Sequence, residues 1–168
     1  MIPTLRRYLK NFSRRTPYPL GKSFCTNTVR CVIRRLAHTR ATPILPLTVI
    51  NARGDIVGNW DTDQSTVGHG FVFSRGRIFS IDEPDAIADG TAANGISESG
   101  LIVGSFIGED GNSHGFLAQG AIFNTIDCAE GANTSVWGVN AAGQIAGTCD
   151  IAGQRLGFIA DRMSMKKP

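Results

Sequence analysis

The first 48 residues contain no aspartate or glutamate, and Gly21 is their only glycine. Ten Arg and Lys side chains therefore stand there without a carboxylate to answer them. The remaining 120 residues reverse both features, with seven basic against fourteen acidic residues and nineteen glycines. The overall charge of +3 hides two segments with different physics. No window approaches the 18 consecutive apolar residues of a membrane-crossing helix, and no secretory h-region is recognisable. Cysteine is sparse. Cys25, Cys31, Cys128 and Cys149 lack the close pairs that a zinc site requires. Cys128 and Cys149 could join in an oxidising compartment, but two half-buried thiols are the simpler expectation.

Catalytic motifs are missing too. "LGKS" at 20–23 resembles the end of a phosphate loop, but Thr16 stands where that motif needs glycine. Neither a G-x-S-x-G elbow nor an H-E-x-x-H pair occurs.

What the chain does contain is repetition. "INARGDIVG" (50–58), "ISESGLIVG" (96–104) and "VNAAGQIAG" (139–147) match at their apolar, turn and glycine positions, at offsets of 46 and 43 residues. Next come "HGFVF" from His69, "HGFLA" from His114 and "LGFIA" from Leu156. "GRIFSID" and "GAIFNTID" then end at Asp82 and Asp127, and the third copy stops before its counterpart. A period in the forties marks a repeat architecture.

Each copy reads as short strands. Asn51 and Gly54, Ser97 and Gly100, and Asn140 and Gly143 fill the first and fourth places of four-residue turns, where those residue types are favoured. A polar loop, the "GF" strand, a turn at Gly76 or Gly120 and the "ID" strand complete a four-stranded antiparallel meander. Both strand faces are apolar: Phe71 and Phe73 point one way and Val72 the other. A sheet covered on both sides is expected. Four-stranded units of this length stacked face to face are propeller-like blades. The fold class is thus all-β, with about two and a half blades (~47–90, ~91–134 and a partial ~135–160). The expected divisions are a basic segment 1–42, a β-repeat domain 43–162 and a basic tail 163–168.

The ordered motifs resemble the HAF-repeat family, whose repeats read GIN-x-x-G-x-IVG, then HGFL, then ID-x-PGA-x-x-T. The first copy here offers "INARGDIVG", "HGFV" and "IDEPDA", and the second "ISESGLIVG", "HGFLA" and "IDCAEGANT". The third offers "VNAAGQIAG" and "LGFIA", so the resemblance covers about residues 47–160. It implies a mostly bacterial, extracellular or envelope-associated protein with a propeller-like fold and no general catalytic role. The chain departs from that pattern in its number of copies, since a closed propeller needs roughly 4–8 blades. An open stack would expose an apolar blade face and strand edges, inviting self-association.

Two constellations stand out. His69 and Asp82 lie thirteen residues apart, as do His114 and Asp127. Such pairs could act as acid–base groups. Because they recur at one position of the repeat, the favoured reading is structural, each His bonded to the Asp of its own blade. "DTDQS" (61–65) and "GEDGN" (108–112) occupy equivalent loops. Asp61, Asp63 and Ser65 place oxygens on alternate residues, as a hard cation wants, but the EF-hand glycine and distal Glu are absent. Solvated loop tips are expected, with no metal or cofactor. Trp60, Asp61, Asp63, Phe106, Glu109 and Asp110 are the candidate ligand-loop residues, since recognition concentrates on loops held by rigid scaffolds. Cys149 replaces the aromatic in the third copy.

In the head, Leu5, Leu9 and Phe12, then Val29, Val32, Ile33 and Leu36, form stripes beside arginines. Such a segment suits a disordered tail or translation from upstream of the natural start, a targeting sequence, anionic-membrane attachment or nonspecific nucleic-acid binding, the last being the least favoured. The expected function is a non-enzymatic binding or assembly scaffold for a protein or glycan. The alternatives are a propeller-based enzyme using His114 and Asp127, or binding through the basic head.

Overall fold

The computed structural model describes residues 47–60, 68–87 and 90–161. The basic head, Asp61, Asp63 and the tail lie outside the described residues. The chain divides between Thr42 and Pro43, and every element described here belongs to the second unit. Among the described residues there are eleven strands and no helix. Sheet 1 contains β1 (Leu47–Ile50), β2 (Ile56–Trp60), β3 (His69–Ser74) and β4 (Arg77–Ile81). Sheet 2 contains β5 (Thr91–Ile96), β6 (Ile102–Ile107), β7 (Ser113–Gln119) and β8 (Ile122–Ile126). Sheet 3 has three strands, β9 (Ala132–Val139), β10 (Ile145–Ile151) and β11 (Gln154–Ala160). All are antiparallel meanders in chain order.

The repeated motifs are the joints of these meanders. The Gly54, Gly100 and Gly143 amides donate to the carbonyls of Asn51, Ser97 and Asn140, closing three equivalent turns. Gly54 sits at φ +81°, a left-handed conformation that side chains resist. The glycine of the "IVG" strand has a different cause. Gly58, Gly104 and Gly147 pair across the sheet with Phe71, Phe116 and Phe158. A Cβ on Gly104 would lie 1.9 Å from the Ala92 carbonyl oxygen and 2.7 Å from the Phe116 ring. The ring needs the space, so the sequence repeats glycine wherever it repeats "GF".

The first strand of every sheet also carries a register shift, at Thr48, Asn94 and Trp137. An extra residue of this kind bends its strand and sharpens the twist. In β5 that residue also links two sheets, because the Asn94 side-chain amide donates to the Val136 carbonyl at 3.0 Å. Asn51 similarly donates to the Ser97 carbonyl at 3.0 Å, tying sheet 1 to sheet 2.

Sheet 2 is buried on both faces, as its apolar runs predict. Ile102, Phe106, Phe116 and Ala118 pack with Val57, Val72 and Ile81 of sheet 1. Val103 and Leu117 pack with Val136, Ile145 and Phe158 of sheet 3. Phe116 is fully buried, worth about 1.5–3 kcal/mol in removed apolar surface.

The first strand of sheet 3 begins at Ala132, beside the expected repeat boundary of ~135. One expectation needs correction. The thiols of Cys128 and Cys149 are joined in a disulfide, with Cα atoms 6.4 Å apart, and are not free as expected. Cys128 lies just after β8, and Cys149 is buried in β10. Stacking of the second and third units brings the two together, a tertiary event to which linear spacing is blind.

Candidate functional site

Repeat equivalence places one arrangement at the same end of the first two sheets. Trp60 and His69 face each other across β2 and β3, and Phe106 and His114 do so across β6 and β7. The rings stack, with centroids 4.4 Å apart for Trp60–His69 and 5.3 Å for Phe106–His114. Each His then reaches the Asp ending its own sheet. His69 Nδ1 lies 2.8 Å from Asp82, whose other oxygen accepts from the Ser80 hydroxyl. His114 Nδ1 lies 3.1 Å from both oxygens of Asp127. The expected pairing within each unit is therefore the geometry seen. Trp60 Nε1 is buried, with no acceptor among the described residues.

The second copy shows both ring nitrogens engaged. His114 Nε2 lies 3.1 Å from Asp110 Oδ1, so the imidazole bridges two carboxylates. Burial alone would lower its pKa, but hydrogen bonds to Asp110 and Asp127 outweigh that and raise it. Asp110 is held at about 2, first by the Asn112 side chain and backbone amide, then by His114. The side-chain amide and backbone N–H of Asn112 donate to Asp110 at 2.7 and 3.0 Å, which closes the "GEDGN" loop on itself.

A cleft of about 540 Å³ opens beside this bridge. Phe106, Glu109, Asp110, His114 and Asp127 line it on the side of sheet 2, and Pro84, Asp85 and Ala86 on the connection leaving sheet 1. Of the six candidate ligand-loop residues, Phe106, Glu109 and Asp110 thus come together. Trp60 belongs to the equivalent place in sheet 1. Asp61 and Asp63 lie outside the described residues. Among the described residues, no three His, Cys, Asp or Glu side chains converge to hold a metal ion.

Sequence reasoning missed the connection that forms the other wall. Glu83 is buried, and desolvation raises its pKa despite the Asp85 amide donating to its carboxylate. Its own backbone N–H donates to Thr91 Oγ1 at 3.0 Å, and Cys128 N–H donates to Thr134 Oγ1 at 3.2 Å. The two buried threonines hold equivalent turns between sheets. The signal was present, because Thr91 and Thr134 each stand six residues before the residue that opens the next turn, Ser97 and Asn140.

In the third copy Cys149 pairs with Leu156 at the place of the aromatic–His pair. Leu156 stands in the place of the His, and the disulfide occupies the joint instead. No protein-family model, curated protein or solved structure matches the chain.

Proposed function

We propose that the chain is a non-enzymatic β-repeat module of the HAF-repeat kind, built from propeller-like blades and serving as a binding or assembly scaffold. The observation that carries this reading is the recurrence of the aromatic–His–Asp arrangement in two units. Catalysis is usually the work of a single constellation, whereas a structural joint is repeated with the fold. In the second unit both imidazole nitrogens are already engaged by Asp127 and Asp110. An acid–base role for His114 would need one of them free for a substrate. The cleft beside Phe106 is the binding surface, with Glu109, Asp110 and Asp127 accepting hydrogen bonds from a glycan or from a partner protein's donors. The disulfide supports an extracellular or envelope address, because such bonds persist in oxidising compartments.

His114→Gln tests the reading. The expected outcome is lower stability and no loss of any turnover on chromogenic ester, phosphate and glycoside substrates. Measurable turnover by the wild type, abolished in a variant of unchanged stability, would transfer the site to the enzyme reading.

A further inference from the structure

β11 is the edge strand of sheet 3, and among the described residues no helix, bulge or proline protects it. Its ladder with β10 runs from Ile145–Ala160 to Ile151–Gln154 without a register shift. It contains no proline and no lysine, and its one charged residue, Arg155, is bonded to Asp150. Leu156 and Ile159 are large apolar side chains left 45% and 80% exposed, although the repeat counterpart of Ile159, Leu117, is buried.

Gly157 adds an independent observation. Its counterparts are Gly70 and Gly115, which pair with Ile81 and Ile126 of the fourth strand. There a Cβ would lie 2.7 Å from the Ile81 carbonyl oxygen and 2.8 Å from that of Ile126, so glycine is required by a neighbouring strand. A Cβ on Gly157 would meet only the Gly147 carbonyl oxygen, at 3.9 Å. Nor does Gly157 adopt the left-handed conformation that would call for glycine. A glycine inside a strand weakens it and often marks the close approach of another backbone. Neither crowding nor conformation accounts for this one within the described chain.

The sequence of β11 supplies the missing neighbour. Antiparallel pairing of two β11 strands about Phe158 sets Gly157 opposite the partner's Ile159, and Ile159 opposite the partner's Gly157. That reproduces, twice, the Gly–Ile pairing of sheets 1 and 2. Ala160 then faces the partner's Leu156, where Ala118 faces Phe123 in sheet 2. Among the described residues the backbone contacts of sheet 2 with sheet 3 run through β9, and no described strand lies along the outer edge of β11. We propose that β11 pairs edge to edge with β11 of a second copy, joining two three-stranded sheets into a six-stranded one about a two-fold axis at Phe158. Such isologous closure is the commonest symmetry of soluble oligomers. This inference does not depend on the reading of the cleft.

Sedimentation equilibrium of the full chain, with hydrogen exchange of residues 154–160, tests it. The wild type is expected at twice the chain mass, with β11 amides protected in proportion to dimer. Gly157→Val adds side-chain bulk only where the second copy approaches. It should give a folded monomer whose unfolding midpoint no longer rises with protein concentration. Ile159→Lys, at an already exposed site, should also give a folded monomer, whereas His114→Gln should leave the mass unchanged. A wild type that stays monomeric at 100-micromolar concentrations (on the order of a weak dimer's dissociation constant) overturns the proposal. So does a dimer that survives both β11 substitutions and is dissociated by Trp137→Ser, since that would move association to the sheet face.

Discussion

Opening the Cys128–Cys149 bond should cost more than any surface change in the molecule. The bond closes a loop of sequence separation 21, for which the chain-entropy estimate is about 3 kcal/mol. Little of this should be offset, because Cys149 is buried in β10 and its loss also strips packing from the joint between sheets 2 and 3. For a domain of this size that stability corresponds to roughly 10–15 °C in Tm. The assay compares urea unfolding of the oxidised chain, the chain in reductant, and Cys128→Ala/Cys149→Ala. The m value should rise slightly on reduction, because the unlinked denatured chain exposes more surface. Alkylation of the unfolded oxidised protein should label no more than two of its four cysteines. Midpoints that coincide within about 0.5 kcal/mol, well below the estimate for such a loop, would refute the reasoning, as would four reactive thiols.

Further outcomes follow from the same geometry. Gly104→Ala drives a methyl group into the Ala92 carbonyl and the Phe116 ring, and should prevent folding or cost several kcal/mol, on the order of an overpacked core or more; thermal unfolding by circular dichroism reads it. Phe116→Ala, at a site with no exposure, should cost about 3–5 kcal/mol by the same measurement. The His114 bridge makes stability depend on pH. Its raised pKa gives a contribution that is full below the ordinary value of 6.5 and lost as pH rises through the folded value. The lowered Asp110 contributes above its ordinary 3.8 and loses that contribution as pH falls through about 2. The bridge therefore works best between about pH 4 and 6.5. Urea midpoints should decline from pH 5.5 to 8 in the wild type, and His114→Gln should flatten that slope. Nuclear magnetic resonance titration of the imidazole checks the assignment.

The fold was legible because its constraints are local and repeated. Turn glycines, the Gly–Phe crossing and the His–Asp spacing all act within one meander, so every copy had to write them again. The apolar character of both faces of sheet 2 was legible for the same reason: Val103 and Phe116 lie on strands whose alternation fails. What acts between units was not legible. The burial of Glu83, the link from Asn94 to Val136 and the wall that Pro84 and Ala86 give the cleft depend on how one sheet leans on the next. No period in the sequence encodes that angle.

The disulfide shows the limit most clearly. Cys149 and Leu156 look like two unrelated losses of a repeated motif, an aromatic in one strand and a histidine in another. Across the sheet they are one change, because they are the paired positions that stack as Trp60–His69 and Phe106–His114 in the other copies. Either loss alone would leave an unsupported ring against the end of the sheet. With both gone, the place of the aromatic becomes available to a residue from the preceding connection. Cys128 stands in that connection where Glu83 stands in the one before it, held by the same threonine hydroxyl contact. A covalent bond thus replaces the stacked and hydrogen-bonded joint in the copy that lacks the means to build it. Cys149→Phe with Leu156→His should therefore not recover the stability lost with the bond, because a stacked ring pair contributes about 0.5–1.5 kcal/mol against about 3 kcal/mol for the closed loop.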